Sequence, residues 1–317
     1  WYVWFTEYFN YCPFKVYTIL PDSGYNCVIT NGQFLDVVNT NQFKAEQLKK
    51  ICQLFNDGLI DGNTTFLFMD AWFPGLEMLA YIRDGLGIPF KIVGLLHAGT
   101  WDDHDFLTQK GMAVWARNLE KSWLILLDRI CVATQFHKDL IINKCKDSHQ
   151  NLTATALDQK IKVINFPIYQ YKPLFVKKIN QIVFPHRLAN EKRADLIPML
   201  ESILSTLSKQ SYTLLVTKNI CKNKDDYYKE LAKSKFVVSL VLQETYGLAV
   251  LEAVLHDCYP IVPNTLSYKE LYPNEFKFEI GTDDNSTICN MFAIITKIIE
   301  DELKYNWIRR DFKKQVL

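Results

Sequence analysis

From residue 64 onward, short runs rich in β-branched and aromatic residues alternate with longer segments of helical periodicity. A chain with that alternation has few ways to fold. Apolar runs this short read as strands of a parallel sheet, and the helices between them supply its cover. The runs are "TTFLFMD" (64–70), "FKIVGLLHAG" (90–99), "DRICVATQF" (128–136) and "KIKVINFPI" (160–168), then "QIVFPH" (181–186), "YTLLVT" (212–217), "FVVSLVL" (236–242) and "YPIVP" (259–263). A helix is expected at "GLEMLAYIRDGLG" (75–87). Between the two sets, "YQYKPLFVKK" (169–178) has prolines, lysines and aromatics without periodicity, and reads as a linker. The expected fold class is α/β, with two Rossmann-like parallel-sheet domains at 1–170 and 171–317.

Composition narrows the class of partner. With 49% hydrophobic and 22% charged residues, the 317-residue chain is globular. A formal charge of +1 gives no long-range field of the kind that marks a polyanion binder. Residues 1–170 hold 15 Lys+Arg against 17 Asp+Glu, and residues 171–317 hold 21 against 18. Eight cysteines without a CxxC pair argue against a zinc cluster and fit buried thiols in a reducing compartment. No apolar run reaches membrane-spanning length, since "WLILLDRICVA" is broken by Asp128 and Arg129. The opening "WYVWFTEYFNYCPF" carries Glu7 and no basic region, unlike a signal peptide. A cytoplasmic enzyme is expected.

In open parallel sheets, ligands bind where strand ends meet helix N-termini. Two segments have that form. In "FVVSLVLQETYGLAVLEAVLH", a strand leads through "QETYG" into a helix, with Glu244 in the turn and Glu252 eight positions on. Gly247 would let the backbone approach a ligand closely, and the free amides of the first helical turn suit a phosphate. In "FPHRLANEKRADLI", Arg187 and Lys192 bracket a turn, and two cations there suit a diphosphate. Each segment alone reads equally well as an ordinary surface helix or a solvated basic loop.

Together they are more specific. The order strand, R-x4-K, helix, strand, E-x7-E, helix resembles the donor domain of family 4 retaining glycosyltransferases of the GT-B fold, in which two Rossmann-like domains face a central cleft. "HRLANEK" is similar to that family's G-R-L-x-x-E-K-G, keeping Arg187, Leu188, Glu191 and Lys192, with His186 for the first glycine and Arg193 for the last. "ETYGLAVLEA" is similar to E-x-F/Y-G-x-x-x-x-E-A. "VLHDCYPIVPNTLSYKEL" resembles the following strand and loop, with Asp257 or Cys258 where glycine is usual. The likeness runs from about residue 90 to 290.

The resemblance implies roles. A nucleoside diphosphate sugar would be the donor, with Arg187 and Lys192 neutralising its diphosphate and Glu244 holding sugar hydroxyls. The amides around Tyr246, Gly247 and Leu248 would meet phosphate or sugar, and Glu252 would bind the ribose. His97, at the end of "IVGLLH", matches a position that faces the donor sugar from the acceptor-side domain, 1–170, while 171–317 is the donor-binding domain. No metal and no dedicated base are expected, because the leaving phosphate can take the acceptor proton. "TWDDHDF" (100–106) packs Asp102, Asp103, His104 and Asp105 together, but consecutive residues cannot all face one ion, so it reads as an acidic loop. Trp72, Phe73 and Trp101 sit at or beyond strand ends, either as stacking platforms or as core. "FPHRLANEK" is further similar to the branch containing tRNA-queuosine mannosyltransferases and related base glycosyltransferases, which implies a hydroxylated base in DNA or tRNA as acceptor. A saccharide or small-molecule acceptor stays open, as does a non-catalytic sugar-nucleotide binder on the same fold.

Overall fold

Four of the expected runs pair into one parallel sheet in strict chain order: β1 (Thr65–Phe68), β2 (Lys91–Leu95), β3 (Arg129–Val132) and β4 (Ile161–Val163). The computed structural model describes residues 9, 11–22, 36–146, 150–166, 168, 174, 176–206 and 212–316, and the chain divides into two compact units, Trp1–Pro167 and Ile168–Leu317. In the first unit, helices Leu76–Leu86, Ala113–Leu126 and Gln135–Cys145 occupy the crossovers. Phe66, Ile92, Ile130 and Ile161 form the buried face of the sheet, joined by Leu76, Leu79, Trp123 and Leu124 from the helices. The helix expected at 75–87 forms as Leu76–Leu86. A further helix, Val37–Asn56, contributes Ile51 to the same core, and its first turn is capped by Asp36, which accepts from the Asn39 amide at 3.1 Å.

The second unit orders its strands differently. β5 (Ile179–Phe184), β6 (Thr213–Val216), β7 (Ser234–Val238), β8 (Tyr259–Pro263) and β9 (Lys277–Phe278) lie as β6-β5-β7-β8-β9, all parallel. The chain therefore steps to one side of β5 and then crosses to the other. β7 begins at Ser234 and ends at Val238, four residues before the end of the expected run. Past it, the Leu242 amide donates to the Glu191 carbonyl at 2.8 Å, so the chain has left the ladder for the neighbouring loop. Most of the expected linker at 169–178 lies outside the described residues. Lys178 is described, and its Nζ donates to the carbonyls of Leu231, Ser234 and His256.

Among the described residues no helix is long and apolar enough to cross a membrane, and every described cysteine is free. Besides Leu266 at φ 52°, two described non-glycine residues of the second unit hold left-handed backbone: Arg193 at φ 55° and Asp257 at φ 64°. Both stand where the resemblance puts glycine, and for the second of them the conformation singles out Asp257 over Cys258.

Gly247 begins helix Leu248–Leu255 at φ 79°. A Cβ there would lie 2.5 Å from Cε1 of Tyr268, a fully buried ring. The glycine is thus required by a side chain of its own fold, where the sequence suggested close approach to a ligand. Gly247→Ala is expected to cost about 1–3 kcal/mol from backbone strain, with more from the displaced ring. A melting temperature within a degree of wild type would contradict this.

Each unit also buries a histidine deeply enough to hold it neutral. His137 and His186 are 2% and 5% exposed, and burial pushes each imidazole down to about 3, helped by His97 beside His137 and Lys192 beside His186. The unfolded chain binds these protons more readily. The stability that each neutral ring contributes is therefore whole above pH 6.5 and is lost as pH falls from there toward 3. Thermal melts between pH 7 and 5, above the carboxylate range, are expected to lose about 1.4 kcal/mol per pH unit for each fully engaged ring. A flat profile over that window would show that neither ring is buried neutral.

Candidate functional site

The reversal of strand order at β5 opens a gap above the sheet between the loops leaving β5 and β7. In open α/β sheets, ligands bind in that crevice. Both motifs from the sequence lie there: residues 186–193 follow β5, and residues 239–247 follow β7. Lys192, 8% exposed, brings them together. Its Nζ donates to the Gln243 carbonyl at 2.7 Å and to Oε2 of Glu244 at 3.2 Å. The backbone bond from Leu242 to Glu191 ties the same loops a second time.

Glu244 faces a ring of donors. Its Oε1 accepts from the amides of Thr245 at 3.1 Å, Tyr246 at 3.3 Å and Gly247 at 2.9 Å. Burial alone would push this carboxyl up. The Lys192 ammonium, the His186 ring and the amides of Gly247 and Tyr246 outweigh it and hold the group below the usual carboxylate range. The nest at the helix start is an anion site, and the anion in it is the chain's own carboxylate. Tyr246 is 8% exposed, and burial pushes its phenol up to about 12, so it stays protonated. Leu248 is the first residue of the helix.

The remaining residues of the two motifs take other partners. Arg187 donates through Nε to Oε1 of Glu191 at 2.8 Å and sits 34% exposed at the rim of the same loop. Glu252 points inward, 7% exposed, and accepts from the Tyr228 hydroxyl at 3.0 Å and from Lys224 Nζ at 3.1 Å. Lys224, by contrast, is 66% exposed. Neither Tyr228 nor Lys224 was anticipated, since each lies on helix Lys224–Lys233, away from any motif.

His97 belongs to the first unit, just beyond β2. Its Nε2 lies 2.7 Å from the Met69 carbonyl and so carries the proton, and the ring packs edge-on against Phe166. Burial pushes the imidazole below its ordinary value, against the pull of the Met69 carbonyl and Asp70. Lys44, from the long first helix, reaches the same strand ends and donates to the Trp72 carbonyl at 2.5 Å, with Asp70 at 3.6 Å. A buried carboxylate missed in the sequence organises these loops. Glu120 accepts from the Thr100 amide at 3.0 Å, the Thr100 hydroxyl at 2.7 Å and Trp72 Nε1 at 2.9 Å. Its signal was available: Ala116, Glu120, Trp123 and Leu124 form one inward stripe of their helix, and a carboxylate in such a stripe needs buried partners. Trp101 is 4% exposed and part of the core, so it offers no stacking surface, and Phe73 is buried likewise. The carboxylates of the acidic loop are all engaged within the chain: Asp102 accepts from the His104 amide, Asp105 from the Leu107 amide, and Asp103 from Lys144 of helix Gln135–Cys145.

No protein-family model matches the chain. Over 52 residues it is 44% identical to the tRNA-queuosine alpha-mannosyltransferase of Drosophila melanogaster, a stretch covering 16% of this chain and 14% of that protein. Among solved structures it is similar to sucrose-phosphate synthase from Thermosynechococcus elongatus, with a TM-score of 0.60 and 11% identity over 93% of this chain and 82% of that one. It is also similar to S. aureus TarM in complex with UDP, with a TM-score of 0.56 and 12% identity over 86% of this chain but only 55% of TarM. With two all-parallel sheets and these neighbours, the α/β fold of the chain is the GT-B glycosyltransferase fold.

Proposed function

We propose that the chain is a retaining glycosyltransferase of the family 4 type, moving a sugar from a nucleoside diphosphate sugar to an acceptor hydroxyl. The observation that carries this is the meeting of Lys192, Glu244 and the amide nest of residues 245–247 at the switch point of the second sheet. Lys192 and Arg187 supply positive charge for a diphosphate leaving group, which is where negative charge develops as the sugar departs. With those two cations in that role, no metal is assigned. The anomeric carbon–oxygen bond to phosphate breaks, the acceptor oxygen bonds on the same face, and the acceptor proton passes to the leaving phosphate. Glu244, held ionised, accepts from sugar hydroxyls. The amides of Tyr246, Gly247 and Leu248 meet phosphate or sugar. Glu252 accepts from a ribose diol, in place of Lys224, while Tyr228 keeps the carboxylate oriented.

The proposed acceptor is a hydroxylated base in tRNA or DNA, supported by the 52-residue match to a tRNA-queuosine alpha-mannosyltransferase. A saccharide acceptor is the second reading, favoured by the broader likeness to sucrose-phosphate synthase.

Incubation with a panel of nucleoside diphosphate sugars, crossed with tRNA, hydroxymethylated DNA and oligosaccharides and read by mass, tests both. Release of nucleoside diphosphate with a glycosylated nucleoside after digestion is the expected result. Transfer to an oligosaccharide alone would remove the nucleic-acid acceptor, and no release from any donor would leave only a binding protein. Within the site, Arg187→Ala is expected to lower turnover tens- to thousands-fold, on the order of 2–4 kcal/mol. Lys192→Ala is expected to do the same and to lower stability as well, since it strands Glu244. Glu252→Gln should mainly weaken nucleotide affinity in calorimetry, and Glu244→Gln mainly the rate. Unchanged turnover in the Arg187/Lys192 double variant would remove the diphosphate clamp.

A further inference from the structure

Behind the Gly247 turn, a second set of contacts joins the same two loops from the inside. His186 Nε2 lies 3.0 Å from Ser239 Oγ, and Ser239 Oγ lies 3.0 Å from Tyr268 Oη. All three residues are buried, Ser239 and Tyr268 completely. His186 immediately precedes Arg187 at the end of β5. Ser239 is the first residue past β7, and its amide donates to the Ile261 carbonyl of β8 at 3.1 Å. Tyr268 opens the short helix Tyr268–Leu271 that follows β8, and its ring fills the space a side chain at 247 would need. Three strand ends are thus linked to one turn by two hydrogen bonds and one ring contact.

The protons fix a direction. Tyr268 donating to Ser239, and Ser239 to a neutral His186, leaves neither hydroxyl proton without an acceptor. The reverse order would leave the Tyr268 proton with no partner among the described residues. Burial keeps the His186 ring neutral, the Lys192 and Arg187 cations add to that effect, and Glu244 opposes it.

We propose that His186, Ser239 and Tyr268 are positioning residues for the nucleotide-sugar site, a buried relay that sets the height of the Gly247 turn relative to Lys192. This rests on the assignment of that site to a nucleoside diphosphate. The turn carries the amides that hold Glu244, and Glu244 carries the contact to Lys192. A shift of the Tyr268 ring therefore moves the amide nest and the ammonium apart, without either residue touching the ligand through the relay. The relay acts from below the turn, while Lys192 and Glu244 act from the ligand side.

Calorimetry with UDP, GDP and ADP, on wild type, Tyr268→Phe, Ser239→Ala and the double variant, tests it. Tyr268→Phe removes one oxygen and keeps the ring against Gly247. Each single variant is expected to weaken the nucleotide that wild type binds by about tenfold, the scale of one buried hydrogen bond. The double variant should lose no more than Ser239→Ala alone, because removing Ser239 already breaks the relay. Hydrogen exchange at the amides of 245–247 should quicken in both singles, while exchange in the β5 and β7 ladders stays as in wild type. Unchanged affinity in both singles, or fully additive losses in the double, overturns the relay and leaves the site assignment standing. If Ser239→Ala does not fold, affinity and exchange in Tyr268→Phe decide alone. Wild type that binds none of the three nucleotides overturns the site assignment, and the relay with it.

Discussion

Once β6 lies on one side of β5 and β7 on the other, the loops that leave β5 and β7 diverge, and nothing in the sheet itself fills the space between them. The second unit is organised around closing that space without plugging it. Its closure is an ion pair, Lys192 to Glu244, with side chains only 10% and 17% exposed. Such a pair gives up much of its hydration and is tolerable only when the remaining valences are met. They are met here by the Gln243 carbonyl on one side and three consecutive amides on the other. The charges at these loops are thus neutralised within the chain, and any anion reaching them would have to exchange for one of these contacts.

Arg193 and Asp257, both left-handed, show how this chain departs from the pattern that it resembles. A non-glycine residue in that region costs roughly 1–2 kcal/mol. At Arg193 the guanidinium bonds both Asp195 and Asp284, 2.8 Å to the latter. At Asp257 the carboxylate pairs with Lys313 at 3.0 Å, and its carbonyl accepts from Arg309. In both places the side chain that makes the backbone awkward also supplies contacts that offset it. Those contacts reach helices Asp284–Glu300 and Glu302–Val316, so the substitution converts a local turn into a tertiary tie.

The sequence carried most of this fold because a buried strand leaves a one-dimensional trace: β1 to β8 each overlap an apolar run. β9 left none, because two residues make no pattern and Lys277–Phe278 is a strand only through its pairing with β8. Arg187, Lys192, Glu244 and Glu252 could be found because charge at a strand end is visible locally. Their partners could not. Tyr228 and Tyr268 are ordinary aromatics in sequence, and only the crossover connections bring them under the site. Trp101 stood open between a stacking platform and the core, and its loop, tied to Glu120 through Thr100, folds inward and carries the indole into the core.

Lys178 has a consequence for how the second unit comes apart. Its ammonium is shared by the carbonyl of Leu231, near the end of helix Lys224–Lys233, by Ser234 just past that helix, and by His256, which closes helix Leu248–Leu255. A cation at a helix C-terminus stabilises the carbonyls it meets, and here one cation serves two such ends. Fraying of either helix from that end strips the lysine of a ligand and so weakens its hold on the other. The two helices, one presenting Lys224 and Tyr228 and the other Glu252, should therefore open as a single cooperative unit rather than separately. Glu252 and its two donors would then be lost or kept together.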